Sequence, residues 1–361
     1  MKVLYIGHYR DGTGWGNAAL NNILAMQEAG VDVVPRAITY ESEDKTTDLR
    51  IENLEMKSSN DCDVVVQHTL PHNYVYNADY KNIGFLAVES SNFKDTGWQH
   101  NCNLMDEMWV PSEAARKALV WSGVTVPVKI VPHSLRMGDY SEVINKNPID
   151  TLQNQFVFGF VGEFIERKNV KALVRAFHME FQPEEPVSLL IKTSKANLED
   201  VQKYLAHIRK GLRIRKNYKE EVVAAGMATN EEYLDLLSQI DCFVMPSRGE
   251  AFCIPSLETM AMGIPCIWTN GIGLDHTLGI AVESHDEPCF GAVETLDGLD
   301  TSNSSWKEIN VRSLGSSMRK MYDTLIVPEM KQDVAKQCKE KAANYSHKEI
   351  GKIIKRILND S

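Results

Sequence analysis

Glu250 and Glu258 stand with seven residues between them in the stretch Met245-Pro-Ser-Arg-Gly-Glu-Ala-Phe-Cys-Ile-Pro-Ser-Leu-Glu-Thr-Met-Ala-Met-Gly-Ile-Pro-Cys-Ile267. Ionised carboxylates accept hydrogen bonds and donate none, so such a pair suits a ligand rich in hydroxyl groups. The apolar run Cys242–Met245 reads as a buried strand, and the Pro-Ser-Arg-Gly loop turns out of it. A helix opens at Ile254 or Pro255, since proline suits the first helical turn. Gly263 is placed to end that helix in a left-handed conformation, and the next strand starts at Pro265. One carboxylate therefore sits on a loop after a strand and the other in the following helix, where open α/β sheets bind ligands. A helix start also attracts phosphate. Hydroxyls at both ends and phosphates between them describe a nucleotide-sugar.

Two further motifs carry chemistry of the same kind. Gly7-His-Tyr-Arg-Asp-Gly-Thr-Gly-Trp-Gly16 follows a first strand and precedes a helix. Gly12, Gly14 and Gly16 let the backbone approach a ligand closely. Their spacing is not G-x-G-x-x-G, so no nicotinamide or flavin site is read from it. Asp11, Thr13 and Trp15 are its exposed side chains. In Phe158-Gly-Phe-Val-Gly-Glu-Phe-Ile-Glu-Arg-Lys-Asn-Val170 a strand ends and the cations Arg167 and Lys168 precede a helix. Cations are unfavourable beside a helix N-terminus, which favours a functional reason for them over a solvated basic pair. A departing diphosphate needs such cations. Lys192 ends the strand Leu189-Leu-Ile-Lys192 and is equally a surface residue or a further donor contact.

Together these residues resemble the retaining glycosyltransferases of the GT-B fold, especially sequence family 4, the group 1 transferases. The resemblance implies that Glu250 contacts the donor sugar and Glu258 the ribose of the nucleotide. It implies that Lys168 holds the donor diphosphate, with the turn Phe252, Cys253 and Ile254 and the glycines Gly14 and Gly16 lining the donor. Where the family has a second cation, an arginine, this chain has Glu163, which would repel phosphate. Arg167 is the candidate replacement. His68 best matches the family's cleft histidine, with His72 as competitor. His133 is a candidate contact for donor or linker. Glu89 ends a strand on the acceptor side, with Asp11, Thr13 and Trp15. Ser112 is a candidate for a hydrogen bond across the cleft.

These residues need elements to position them, and the chain is long enough for two cores. It has 361 residues, 43% of them hydrophobic and 24% charged, an ordinary globular balance. Strand and helix signals alternate twice, with near-continuous apolar strands that imply parallel sheets covered on both faces. The expected fold is α/β, GT-B, with two Rossmann-like domains facing across a cleft. Residues 1–145 form the acceptor-side domain, 146–338 the nucleotide-sugar domain, and 339–361 a terminal helix. By resemblance, that helix crosses back to the N-terminal domain. The polar stretch around 140–153, with Asn145, Asn147 and Pro148, is the linker.

Composition also limits partners. The net charge of −10, from 39 basic and 49 acidic residues, disfavours loose attraction to nucleic acid or anionic membrane. Lys203–Lys219 runs against that average, with seven basic residues and no acid. It is either a solvated face or a docking patch for a polyanionic acceptor. No apolar run is long enough to cross a bilayer, so no stable membrane insertion is expected. Seven cysteines form no C-x-x-C pair, so reduced thiols and a cytoplasmic setting are expected. No cofactor and no metal are expected, since no clustered Asp motif is visible.

The resulting reading is metal-independent transfer of a hexose or pentose from a nucleotide-diphosphate donor to a hydroxyl, with retention. The acceptor is open among a glycan or polysaccharide, a small glycoside, a lipid, a protein and a modified DNA base. A GT-B epimerase or a non-catalytic nucleotide-sugar binding protein are the alternatives. A glycosidase carboxylate pair fits less well, because it gives Lys168 nothing to do.

Overall fold

The computed structural model describes residues 1–38, 48–141, 148–289, 299 and 301–360. The chain divides into two compact units. One comprises Met1–Met137, Thr295–Ser305 and Ala343–Ser361; the other comprises Gly138–Glu294 and Trp306–Ala342. The division after residue 137 precedes the expected boundary at 145–146. That boundary, with Asn145 and Asn147 of the expected linker, lies outside the described residues.

In the first unit, apolar β-branched runs separated by amphipathic segments give alternating strands and helices. They are β1 (Lys2–Gly7), α1 (Gly14–Glu28), β2 (Asp32–Ala37), α2 (Leu49–Glu55), β3 (Val64–His68), β4 (Lys81–Phe85), α3 (Trp98–Leu104), β5 (Glu107–Val110), α4 (Glu113–Trp121) and β6 (Val128–Ile130). The six strands form one parallel sheet in the order β2-β1-β3-β4-β5-β6. Every residue of β3 is buried, as expected for a strand covered on both faces.

The second unit starts with the short helix α5 (Gly138–Ser141). It continues through β7 (Phe156–Val161), α6 (Val170–Glu180), β8 (Val187–Thr193), α7 (Leu198–Leu212), β9 (Val222–Ala225), α8 (Asn230–Leu237), β10 (Cys242–Met245), α9 (Ile254–Ala261), β11 (Cys266–Thr269) and β12 (Gly279–Val282). Its parallel sheet has the order β12-β11-β10-β7-β8-β9. A small two-stranded sheet, β13 (Ser284–Pro288) and β14 (Ser305–Ile309), and the helices α10 (Val311–Leu325) and α11 (Pro328–Ala343) complete it. Gly263, with φ of 92°, follows the C-cap of α9 as its position predicted.

The last helix, α12 (His347–Asn359), packs on α1 within the first unit. Its apolar stripe Ile350, Ile354 and Leu358 is buried, and each such side chain contributes about 1.5–3 kcal/mol. Ser346 caps its start by accepting from the Glu349 amide, and His347 Nε2 lies 2.8 Å from Asn21 Oδ1 of α1. Among the described residues, no helix is long and apolar enough to cross a membrane.

Candidate functional site

Strand order in the second unit reverses direction between β7 and β10. In an open α/β sheet the crevice at such a point lies beyond the carboxyl ends of the two strands. The loop after β7 carries Arg167 and Lys168, and the loop after β10 carries Glu250. The sheet topology therefore explains why segments some eighty residues apart in sequence deliver their charges to one place.

The two loops are tied before any side-chain charge is considered. Residues Glu166–Lys168 form a 3-10 turn, ended by Asn169 in the left-handed region at φ 52°, which asparagine tolerates better than most residues. The Arg248 amide donates to the Arg167 carbonyl at 2.7 Å, and the Ser247 hydroxyl reaches the same carbonyl at 3.1 Å. The Arg248 guanidinium pairs with Glu166 and with Glu308 of β14. Glu308 in turn accepts from the Asn169 side chain at 3.2 Å.

On this frame Lys168 Nζ lies 2.6 Å and Arg167 Nη1 3.2 Å from the same oxygen, Glu250 Oε1. Arg167 also donates to the Gly249 carbonyl at 2.7 Å. The Glu250 carboxylate is only 4% exposed. Burial works to raise its pKa, but Lys168 and Arg167 outweigh burial and hold it below the usual carboxylate range. The result is a fixed anion with two cations at its side. Glu163, at the position where the family has its second cation, turns elsewhere. Its carboxylate accepts from Thr193 Oγ1 and the Lys195 amide, both at 3.0 Å.

Glu258, in the second turn of α9, has a different environment. Tyr140 of α5 donates to its Oε1 at 2.9 Å, and Tyr233 of α8 donates to its Oε2 at 2.6 Å. Burial raises the Glu258 carboxyl above its ordinary range, and the two phenols partly offset that. Between the glutamates, Cys253 adopts the left-handed region at φ 62° as the N-cap of α9. That conformation costs on the order of 1–3 kcal/mol for a residue other than glycine. Phe252 is buried and stacks on His276 at 4.0 Å, and His276 Nε2 meets Ser256 Oγ at 3.0 Å. The side chains of Phe252 and Cys253 thus shape the turn, with Ile254 half-buried beside them.

Lys192 is buried at the end of β8, and its ammonium donates to the carbonyls of Thr193 and Gly226. The basic run from Lys203 to Lys219 is largely used within the unit. Lys203 pairs with Glu199, Arg209 with Glu220 and Glu221, Arg215 holds the Phe181 carbonyl, and Lys219 meets Gln155. A solvated face with internal partners describes that segment better than a continuous cationic patch.

In the first unit, strand order reverses between β1 and β3, and the motif residues gather there. Asp11 Oδ1 accepts from the Thr13 amide and hydroxyl, both at 2.8 Å, and Thr13 caps α1 by accepting from the Gly16 amide at 3.1 Å. Asp11 and Trp15 are half-buried rather than exposed as expected, Trp15 because it packs against the core of the unit, while Thr13 and Gly14 are exposed. A Cβ on Gly16 would lie 2.1 Å from Asp11 Oδ1 and 2.7 Å from the His8 carbonyl. We predict that Gly16→Ala lowers stability by about 1–3 kcal/mol, read as a fall in denaturant midpoint. An unchanged midpoint would show that the loop yields freely.

His68 is buried at the end of β3. Its Nδ1 meets Tyr5 OH at 2.7 Å, and its ring packs against Phe85 at 4.2 Å and Trp15 at 5.5 Å. Burial, then His133 and His8, drive its pKa well below the ordinary histidine range. His133 stacks on the same Phe85, and burial takes it down to about 3. Both are neutral imidazoles at pH 7. Glu89 is half-buried and lies in the loop beyond β4, which stops at Phe85, rather than at a strand end, and Ser112 caps α4 by accepting from the Ala115 amide at 3.3 Å. All seven cysteines are unbridged and buried.

Comparison with known proteins places this geometry among relatives. Residues 155–293 match the family model described as group 1 glycosyl transferases. The serotype-specific mannosyltransferase WbdA of Escherichia coli is 28% identical over 162 residues, which are 42% of this chain and 18% of that protein. The chain thus spans less than a fifth of the length of the curated relative it matches. Three solved structures align along nearly the whole chain. HepE of Anabaena, in complex with UDP and glucose, has a TM-score of 0.64 at 14% identity, covering 100% of both chains. Sucrose-phosphate synthase of Thermosynechococcus elongatus has a TM-score of 0.65 at 13% identity, covering 100% of this chain and 99% of that one. A Rickettsia africae glycosyltransferase has a TM-score of 0.68 at 11% identity, covering 99% and 98%. At these identities the likeness is one of fold.

Proposed function

We propose that this chain, which has the GT-B fold expected from its sequence and matches group 1 glycosyl transferases over residues 155–293, is a glycosyltransferase. It moves a hexosyl group from a nucleoside-diphosphate donor to a hydroxyl acceptor, with retention at the anomeric carbon. The observation that carries the reading is the meeting of Lys168 and Arg167 on Glu250 where the strand order of the second unit reverses. The mannosyltransferase name of one relative and the UDP and glucose of a structural neighbour support a hexose on a nucleotide carrier.

The chemistry follows from charge. The bond between the anomeric carbon and the diphosphate oxygen breaks, and that oxygen leaves with the electron pair. The acceptor oxygen attacks from the same face, and its proton passes to the leaving oxygen. Lys168 stabilises the charge growing on the diphosphate, with Arg167 as the second cation in place of the arginine absent at Glu163. An ammonium has three donors, and the bond to Glu250 uses one of them. Glu250 orients the sugar hydroxyls, and Glu258 receives the ribose. The reading gives the acceptor side to the first unit, with Asp11, Thr13, Trp15 and Glu89 as its residues. There a neutral His68 supplies hydrogen bonding rather than charge. The reading uses no resident metal or cofactor. The seven unbridged thiols support a cytoplasmic setting.

The test is a thermal-shift screen of nucleotide-sugars, followed by assay of nucleoside diphosphate released with the best binder and a panel of glycans. We expect release that rises with acceptor concentration. An epimerase would convert the donor without acceptor, and a binding protein would release nothing. Either result, or stabilisation by no nucleotide-sugar, overturns the proposal.

A further inference from the structure

Glu258 is held at both oxygens by phenols that lie on different elements and far apart in sequence. Tyr140 comes from α5 and reaches Oε1, while Tyr233 comes from α8 and reaches Oε2. A carboxylate has about four lone-pair positions. Each phenol occupies one position on its own oxygen, so one remains on each. Two donors from separate helices thus orient the carboxylate plane of the half-buried Glu258.

We infer that Tyr140 and Tyr233 are positioning residues, which set Glu258 to accept two neighbouring hydroxyls at once and so select ribonucleotides over 2′-deoxyribonucleotides. The inference rests on the proposed placement of the nucleotide ribose at Glu258 and extends it. A cis-diol offers two donors side by side, one for each remaining oxygen position. Loss of one hydroxyl leaves a clamped carboxylate oxygen without its partner, and a site built around a hydroxyl rejects the analogue that lacks it. A carboxylate released from one phenol can turn toward the remaining hydroxyl or toward water. It then discriminates less, even if it still binds.

Isothermal titration of the full chain tests this. The tightest of UDP, GDP, ADP and CDP is compared with its 2′-deoxy counterpart in wild type, Tyr140→Phe, Tyr233→Phe and Glu258→Gln. Wild type is expected to prefer the ribonucleotide by about 10- to 100-fold, the cost of leaving one acceptor unpaired. The two phenylalanine variants are expected to keep ribonucleotide affinity within about tenfold while their preference falls below about threefold. Glu258→Gln, with both tyrosines present, is expected to lose the preference too. A phenol needed only for folding would weaken both ligands by the same factor. An unchanged ratio in both tyrosine variants overturns the inference, whatever happens to affinity. If wild type binds none of the four diphosphates, the reading of the site falls and this inference falls with it. If wild type binds and the ratio does not move, the inference alone fails.

Discussion

Substitution of Lys168 by methionine is expected to lower kcat by about two to three orders of magnitude while changing KM for the donor far less. The argument is about where charge develops. A nucleoside diphosphate bound in the ground state already carries its negative charges, but the bridging oxygen gains a further one only as the anomeric bond breaks. A cation aimed at that oxygen therefore acts more strongly in the transition state than in the complex. Lys168 is held 2.6 Å from Glu250 Oε1 by a turn pinned to the loop after β10. Little reorganisation is needed when the leaving group departs. Methionine keeps the length and apolar stem but removes the charge. Arg167→Met is expected to show a similar kcat loss and, in addition, a lower melting temperature, because its guanidinium also anchors the Gly249 carbonyl. The double variant should lose less than the sum of the two, since both cations serve one oxygen. Assay of diphosphate release under saturating donor checks all three. A Lys168→Met enzyme within about threefold of wild-type kcat would remove leaving-group stabilisation from this residue.

How much of this was readable from sequence depends on the range of the interaction. Local signals worked well. Pro255 and Gly263 bracket α9, and Cys242–Met245 is the buried strand its composition indicates. The expected strand Leu189–Lys192 lies within β8. The four-residue spacing of Ile350, Ile354 and Leu358 marks one face of α12. Elements with weak periodicity were not legible, and α2, α3 and the small sheet β13–β14 belong to that group. Long-range pairings were visible only through the family pattern, and that pattern has no place for the features particular to this chain.

The missed residues illustrate the limit. Tyr140 sits at the edge of a polar stretch with no periodicity, and nothing local indicates that it reaches Glu258. Tyr233 had a partial signal, because Thr229 and Glu232 form a capping box that fixes the start of α8, but not which way its fourth residue points. Ser247 and Arg248 read as an ordinary turn, yet they fasten the cation-bearing turn to the Glu250 loop. Glu163 read as a repulsive replacement for a phosphate ligand, and the structure gives it different work at the end of β8. In each case a tertiary hydrogen bond decided the role of a residue whose type alone permitted several.

Glu250→Gln should abolish measurable transfer and also destabilise the second unit. The two effects have separate causes. Transfer fails, by about 100-fold or more, because an amide cannot present two accepting oxygens to the sugar and orientation is lost. Stability falls because Arg167 and Lys168 lose the carboxylate they share in a poorly solvated place. Breaking a buried pair from one side costs about 3 kcal/mol or more, which for a unit of this size lowers the melting temperature by roughly 6–12 °C. The pH dependence follows from the sign of the shift. Despite burial, Lys168 and Arg167 hold the folded-state pKa of Glu250 below the ordinary carboxylate range, so its contribution is fully present within and above that range. It is lost as pH falls through the lower, folded-state value. The gap in melting temperature between wild type and Glu250→Gln should therefore be constant from neutral pH down to the ordinary carboxylate range and narrow progressively below it. Nucleoside diphosphate supplies a third readout. In the variant the two cations have no competing carboxylate, so the ligand should raise its melting temperature by more than it raises that of wild type. A smaller ligand-induced shift in the variant would mean that Arg167 and Lys168 do not face the diphosphate, and the assignment of both cations would have to be withdrawn.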